Sequence, residues 1–219
     1  MPDNPSPLPA SWPDLPLFPL GTVVFPGALL PLQIFELRYL QMVGECERQG
    51  LPFGVVTLRQ GSEVHRPGQT ESFEPLGTLM RLDKVERPRP GLLHIWCRAI
   101  GRFEVLQASQ RSDGLWRASA RTLPPEPAIE VPEHLHYLAT QMTEALHKLA
   151  SEPLVVEPWP QPWQPHDCAW LSHRWGELLP LPAAMKYRLF ALQEPLLRLE
   201  LVGDMISPEK RTGTTPPGP

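Results

Sequence analysis

The sequence predicts an α+β fold in which a β-rich half precedes a helical half. Between residues 15 and 123, short apolar runs alternate with polar residues and are separated by glycine- and proline-containing turns. This pattern is typical of antiparallel strands in a small barrel or sandwich. After Pro124-Pro125 the apolar residues recur every three or four positions, which is the period of a helix packed along one side. Strands followed by helices, rather than alternating with them, indicate the α+β class.

The β-rich half opens with residues 15–39, which contain no charged side chain before Glu36. The apolar part is long enough to cross a bilayer as a helix, but it holds four prolines, and each would disrupt a helix interior. It is therefore predicted to form short buried strands at residues 15–20, 23–25 and 29–35. Its three phenylalanines are expected to fill the core; they are Phe18, Phe25 and Phe35.

A helix is predicted over residues 36–49, with Gly50 as its stop signal. Its apolar residues recur every three positions, at Leu37, Leu40, Val43 and Cys46. Ser112-Asp113-Gly114 is a hairpin turn signal, and Gly101-Arg102 is expected to separate two strands. The further predicted strands cover residues 53–59, 75–85, 92–100, 102–109 and 115–123.

The helical half is predicted to contain four helices, with a proline- and tryptophan-rich connector at residues 153–165. Their expected ranges are residues 133–151, 166–179, 183–193 and 195–205. The domain organisation that follows is a flexible tail at 1–13, a β lobe at 14–124, a helical lobe at 125–206 and a second tail at 207–219.

Several motifs resemble the opening of the N-terminal substrate-binding domain of Lon proteases. They are Leu-Pro-Leu-Phe-Pro-Leu from Leu15, Val-Phe-Pro-Gly from Val24 and Ile-Phe-Glu-x-Arg-Tyr from Ile34. Weaker likenesses continue at Phe53-Gly-Val-Val and at Trp175-Gly-Glu-Leu-Leu-Pro-Leu-Pro, so the resemblance covers residues 15–205. It implies a PUA-like, mostly antiparallel β-barrel with one helix, followed by a helical bundle.

The same resemblance implies a stand-alone module that binds unfolded or tagged polypeptide, with a protease or chaperone as partner. The family-like fingerprint residues are Pro26, Gly27, Glu36, Arg38 and Tyr39, for which structural roles are expected, with Glu36 capping the helix and Arg38 tying it to a strand. Candidate peptide contacts are Phe25, Leu29, Trp159 and Trp163. The tryptophans either cement the helices onto the barrel or line an apolar groove.

The catalytic parts of a Lon protease have no counterpart in these residues. The sequence contains no Gly-x-x-x-x-Gly-Lys-Ser/Thr phosphate loop, and none of its four lysines lies in a context like the protease dyad. No enzymatic activity, no cofactor and no metal are therefore expected. An undetected hydrolase is retained as an alternative, because His166-Asp167-Cys168 contains the residue types of a triad. Adjacent helical residues point in different directions, so Asp167 is read as a helix-start residue instead.

Charge and cysteine content restrict the binding partners and the cellular location that we expect. The formal net charge of −4 gives no general attraction to nucleic acid or to an anionic membrane. A local excess of basic residues lies between Arg81 and Arg102, so RNA or small-ligand binding through the barrel is a further alternative. The chain has three widely spaced cysteines, and no basic residue precedes Arg38 as a secretory signal would require. A cytoplasmic location is therefore expected.

Overall fold

The computed structural model describes residues 8–63, 71–151 and 162–207. The chain divides into two compact units, Met1–Pro125 and Glu126–Pro219. The first unit carries the strands and one helix, and the second carries the remaining helices. This order confirms the predicted α+β class.

The N-terminal unit is built on a mixed sheet of six strands. The strands pair in the order β2-β5-β4-β3-β1-β6, and a further pairing of β5 with β6 closes five of them into a ring. Only β1 and β3 run parallel, so the predicted, mostly antiparallel arrangement is confirmed. The elements in chain order are β1 (Ser11–Leu20), β2 (Leu29–Ile34), α1 (Leu37–Gln49), β3 (Phe53–Gln60), β4 (Ser72–Arg89), β5 (Leu92–Gln110) and β6 (Trp116–Thr122).

The ring closes because β5 is long enough to pair with three strands. Its first part pairs with β2 and β4, and its second part, from Phe103 onward, pairs with β6. The predicted break at Gly101-Arg102 is wrong, because β5 runs through it with Gly101 opposite Leu79. The register shifts next to this pair, between Ala99 and Gly101 on β5, and such a bulge bends a strand without ending it.

The closed ring of five strands surrounds the aromatic side chain of Phe103, which is fully buried. A Cβ atom on Gly54 would lie 2.5 Å from Phe103 Cζ, and one on Gly77 would lie 2.6 Å from the same atom. Gly77 also faces the backbone, since its Cβ would lie 2.5 Å from the carbonyl oxygen of Val55. These two positions therefore require glycine to accommodate the aromatic ring and the neighbouring strand.

Helix α1 packs its apolar face on a second core of the same unit. The buried face consists of Tyr39, Met42, Val43 and Cys46. The predicted stripe is wrong at its first member, since Leu37 opens the helix and is 69% exposed. The predicted stop is confirmed: Gly50 adopts φ 65°, and its N–H donates to the carbonyl of Cys46.

Two further expectations for the first residues need correction. Strand β1 begins at Ser11, inside the predicted tail, because Trp12 pairs with Ala120 and donates from Nε1 to Thr122 Oγ1 at 2.9 Å. The predicted strand at residues 23–25 is wrong. This segment is buried but lies outside the strand ladder, and its Val24 carbonyl accepts a bond from the Thr78 hydroxyl at 2.5 Å.

The C-terminal unit confirms the four predicted helices. A 3-10 turn at Glu133–Leu135 leads into the first, and proline occupies the N-cap or the first turn of the last two, where a missing N–H costs little. The helices are α2 (His136–Ser151), α3 (Cys168–Leu178), α4 (Ala183–Ala191) and α5 (Pro195–Ile206).

Buried charges tie α3 and α5 to the start of this unit. Arg198 on α5 is fully buried and donates to both carboxylate oxygens of Glu126, at 3.0 and 2.6 Å. His173 on α3 lies against both of them, with its Nε2 3.5 Å from Glu126 Oε2 and hydrogen-bonded to Arg198. Burial, reinforced by Arg198 and Arg174, lowers the pKa of His173 from 6.5 to about 3 despite its bond to Glu126.

We expect His173 to make the stability of the protein depend on pH. Because its folded pKa lies below its unfolded value, the unfolded chain binds a proton that the folded chain excludes between pH 6.5 and about 3. Its contribution should therefore lower the free energy of unfolding as the pH falls through this window, by up to about 1.4 kcal/mol per pH unit. Urea unfolding at a series of pH values measures this slope.

The His173→Gln variant isolates the effect, since glutamine offers a polar atom at the same reach but does not titrate. Its pH slope should be flatter than that of the wild type. The matched control is His134→Gln, which changes a histidine that is 63% exposed and lies 2.8 Å from Glu200, and should alter the slope less than His173→Gln does. Equal slopes for the wild type and His173→Gln would contradict the expectation.

Candidate functional site

The N-terminal unit has an apolar groove beside the start of α1, which we call the Phe35 groove. Its volume is about 420 Å³, including the part open to solvent. The end of β1, the end of β2, the first turn of α1 and the residues after β3 contribute its walls. The lining residues are Phe18, Leu20, Leu32, Gln33, Ile34, Phe35, Glu36, Tyr39 and Glu63.

The floor of the groove is formed by buried side chains, and Phe35 at its edge is exposed. Phe18 and Tyr39 lie in the core with their ring centroids 4.2 Å apart. Phe35 on the rim is 58% exposed, and its sequence neighbour Leu37 is 69% exposed. Of these two, Phe35 lines the groove, so the groove carries an exposed aromatic side chain next to buried apolar ones, which is the composition of a candidate interaction site.

The local sequence explains why Phe35 points outward. Side chains alternate between the two faces of a strand. In β2, Ile34 is buried, so the next residue faces solvent before the helix begins at Leu37. The expectation that Phe35 fills the core is therefore wrong.

Arg38 is a buried cation in the first turn of α1. It is 5% exposed, and its Nε donates to Glu36 Oε2 at 3.1 Å. Its Nη1 donates to the Gly114 carbonyl at 2.8 Å, which joins α1 to the turn between β5 and β6. Its guanidinium lies 4.4 Å from the centroid of the Tyr39 ring. Arg38 thus ties the start of α1 to the β5–β6 turn.

Glu36 does not cap the helix in the predicted way. It occupies the N-cap position, but its side chain bonds to Arg38 and not to a backbone N–H. The remaining carboxylate of the groove, Glu63, accepts a hydrogen bond from the backbone N–H of Gly21 at 2.7 Å. Burial raises the pKa of Tyr39. The nearby positive charge of Arg38 lowers this pKa, whereas the negative charges of Glu36, Glu71 and Glu63 raise it further.

The fingerprint residues fall into two places. Glu36 and Tyr39 line the groove, and Arg38 lies between them in the sequence, in the first turn of α1. Pro26 and Gly27 form a turn before β2, in which Gly27 has φ 82° and donates from its N–H to the Ala99 carbonyl at 3.0 Å. This turn at Pro26 and Gly27 holds the start of β2 against β5.

The candidate peptide contacts do not line the groove where their positions are described. Phe25 is fully buried, and Leu29 is half buried on β2. Trp163 belongs to the C-terminal unit, where its ring centroid lies 5.6 Å from that of His147 on α2. Trp159 lies outside the described residues.

The triad-like residues at the start of α3 have structural roles. Asp167 is the N-cap of α3, with its Oδ1 accepting from the Trp170 N–H at 2.8 Å, which confirms the helix-start interpretation. Burial raises the pKa of the Cys168 thiol to about 11, so a reactive thiolate is disfavoured. Among the described residues, no cluster of three or more potential metal ligands occurs.

The basic residues of the β4–β5 hairpin are mostly paired. Arg98 Nη2 lies 2.7 Å from Asp83, and Lys84 Nζ lies 2.6 Å from Glu86. Arg87 pairs with Glu47 on α1. These pairs remove the main support for an RNA site. Within the described ranges, none of the helices has the length and apolar character that crossing a bilayer requires.

Residues 14–207 match the protein family described as the ATP-dependent protease La (LON) substrate-binding domain. The chain is 30% identical over 99 residues to a Lon protease of Anaeromyxobacter dehalogenans and 28% identical over 99 residues to Lon protease 2 of Myxococcus xanthus. Each match covers 45% of the chain but 12% of the relative. The chain thus spans a small part of these curated relatives.

Solved structures of Lon N-terminal domains share the fold. The Lon N-terminal domain protein of Xanthomonas campestris is 28% identical, with a TM-score of 0.66, over 86% of this chain and 96% of that one. The N-terminal domain of a Lon protease from the Mycobacterium avium complex is 15% identical, with a TM-score of 0.57, over 90% and 99% of the two chains. The second likeness concerns the fold alone.

Proposed function

The chain belongs to the ATP-dependent protease La (LON) substrate-binding domain family, and we propose that it is a substrate-binding module that holds apolar polypeptide segments in the Phe35 groove. The exposure of Phe35, beside a packed apolar floor, is the observation that carries this proposal. An unfolded polypeptide exposes the apolar side chains that such a groove can remove from water.

The module acts by binding and not by catalysis. Its family match is to a substrate-binding domain, its sequence lacks a phosphate-binding loop, and its triad-like residues serve as a helix cap and a buried thiol. The bound partner is unfolded or tagged polypeptide, which the module presents to a protease or chaperone. The names of its relatives, which are Lon proteases, support a protease as the protein that receives the bound polypeptide.

The proposed location is the cytoplasm. Cys46, Cys97 and Cys168 are all buried free thiols. Thiols that take no part in disulfides are typical of a reducing compartment.

We expect Phe35→Ser to weaken polypeptide binding. Burying a phenylalanine contributes about 1.5–3 kcal/mol. Phe35 is 58% exposed in the free protein, so about half of that amount is available, which corresponds to about a 4- to 12-fold increase in Kd. The measurement is fluorescence anisotropy of a labelled, reduced and carboxymethylated model polypeptide, titrated with the full chain.

The matched control is Leu106→Ser on β5, because Leu106 is 60% exposed in the same unit but does not line the groove. It should bind like the wild type. Equal loss in both variants would show that the groove is not the binding surface. The absence of binding at high micromolar concentration, across several unfolded polypeptides, would contradict the proposed function itself.

A further inference from the structure

Strand β2 has an open edge that borders the Phe35 groove. In the part of the chain that the structure describes, β2 lies at the end of the strand order and pairs only with β5. Three consecutive residues of β2 line the groove: Leu32, Gln33 and Ile34. A pocket on one face of a strand is lined by alternate residues, because successive side chains point to opposite faces. The groove therefore runs along the edge of β2 that β5 leaves open.

The register of β2 shows which backbone groups face the open edge. The N–H of Ala99 on β5 donates to the carbonyl of Ala28 at 2.9 Å, in line with the β2–β5 register. In an antiparallel pair, residues alternate between those whose backbone groups bond to the partner strand and those whose groups do not. The even-numbered residues of β2 therefore bond toward β5, and the odd-numbered residues face the open edge. The latter are Leu29, Pro31 and Gln33.

Pro31 divides this edge into two parts. It has no N–H, so pairing with a further strand is interrupted at its position. Gln33 keeps both its N–H and its C=O, and within the described ranges neither group bonds to a second strand or to a loop. Gln33 also lines the groove, whereas Pro31 does not. The part of the edge that can still pair thus coincides with the groove.

An added strand would also suit the apolar floor of the groove. Leu32 and Ile34 point to the core face of the sheet, where they belong to the same apolar cluster as Phe18 and Tyr39. Phe18 and Tyr39 line the groove as well. Every second side chain of a strand placed beside β2 would point to this floor, and the intervening side chains would point away from it.

We propose that the Phe35 groove binds polypeptide as an added β-strand, which pairs through its backbone with β2 at Gln33 and places alternate apolar side chains on the groove floor. This inference rests on the proposed function, because it names the substrate class of the same groove: extended segments with alternating apolar residues and free backbone N–H groups. Strand addition obtains affinity from main-chain hydrogen bonds and specificity from alternate side chains. The β2 edge of a second copy is a poorer occupant, because its own Pro31 removes a further donor.

The test uses a labelled peptide of sequence Ser-Leu-Thr-Phe-Thr-Leu-Thr and two N-methylated forms of it, titrated with the full chain. One form carries N-methyl groups on its leucines and phenylalanine, and the other carries the same number on its threonines. Only alternate residues of an added strand bond to β2, so one form should lose these bonds and the other should keep them. The form that loses them should bind about 2- to 12-fold more weakly than the unmethylated peptide, the net effect of one hydrogen bond. The other form should bind within about twofold of it.

Two variants at Gln33 test the same contact from the side of the protein. Gln33→Pro removes the N–H that faces the open edge, and proline is tolerated at such outward-facing edge positions. Gln33→Ala removes the side chain but keeps the N–H. The Kd of the unmethylated peptide should therefore be about 2- to 12-fold higher for Gln33→Pro than for Gln33→Ala. Circular dichroism checks that both variants fold, and the N-methylated pair tests the proposal on the wild type in either case.

The outcomes separate this inference from the proposed function. If the two N-methylated forms bind with equal affinity, the groove recognises side chains alone, and strand addition is wrong while the proposed function stands. If light scattering shows a dimer of the chain that the unmethylated peptide dissociates, a second copy occupies the edge, and the choice of occupant is wrong. If none of the peptides binds, the proposed function fails, and this inference fails with it.

Discussion

Replacing Arg198 by methionine should destabilise the C-terminal unit by about 3–5 kcal/mol, which is typical when one partner of a buried ion pair is removed. Arg198 is fully buried on α5 and binds both oxygens of Glu126, whose side chain is 8% exposed. The variant would leave the Glu126 carboxylate buried without this partner. Methionine fills much of the arginine volume, so the effect reports charge and not merely lost packing.

Urea unfolding gives the size of this change, and hydrogen exchange followed by mass spectrometry shows that α3 and α5 are the segments affected. The control is Arg188→Met, an exposed position on α4, which should change stability by less than about 0.5 kcal/mol. The double variant Glu126→Leu with Arg198→Met removes both charges and should regain much of the loss. A loss for Arg198→Met no larger than that of the control would contradict the role of the pair.

Replacing Phe103 by alanine should destabilise the N-terminal unit by about 3–5 kcal/mol, the usual cost of truncating a buried phenylalanine. The closed ring of strands surrounds this side chain, and Gly54 and Gly77 leave the space that it fills. Because the ring is closed by hydrogen-bonded strands, the walls cannot collapse onto the cavity. The expected cost therefore lies toward the upper end of that range.

The same geometry predicts a specific coupling that urea unfolding can measure. Gly54→Ala should destabilise the wild type, because its Cβ would meet Phe103 Cζ at 2.5 Å and Leu17 Cδ2 at 2.9 Å. In the Phe103→Ala background this cost should fall, since the closest obstacle is gone. Gly77→Ala should remain destabilising in the Phe103→Ala background. Its Cβ would still meet the backbone carbonyl of Val55, which the Phe103 substitution does not remove. Additive effects of Gly54→Ala and Phe103→Ala would contradict the packing described here.

Local signals predicted many elements because they depend on near neighbours. Gly50 ends α1, since only a residue that tolerates positive φ can turn the chain there. Ser112-Asp113-Gly114 forms the turn between β5 and β6, where Gly114 has φ 84° and Asp113 accepts a bond from the Leu115 N–H. The four helices of the second unit also follow from apolar spacing within each segment.

Long-range pairing explains the elements that were predicted incorrectly. Trp12 belongs to β1 because it pairs with Ala120, more than a hundred residues away. The segment at residues 23–25 has the composition of a strand, but its partner is the Thr78 hydroxyl and not a strand ladder. Neither pairing leaves a signal in the neighbouring sequence.

The sequence carries part of the information that locates the Phe35 groove. The motif Ile-Phe-Glu-x-Arg-Tyr marks its position, and strand alternation from Ile34 could have placed Phe35 outside the core. The place of Glu63 in the groove could not have been found this way, because Glu63 is distant in sequence from Tyr39 and approaches it through the pairing of β3 with β1.

By itself, the sequence determined the α+β class, the family and the approximate helices, because apolar periodicity and turn residues act over a few positions. Only the tertiary structure decided that β5 closes a ring around Phe103, that Phe35 is exposed and that Arg198 is buried against Glu126. The physical reason is that burial and charge pairing depend on which distant segments meet. The type of a residue does not by itself determine whether its side chain contacts another segment or water.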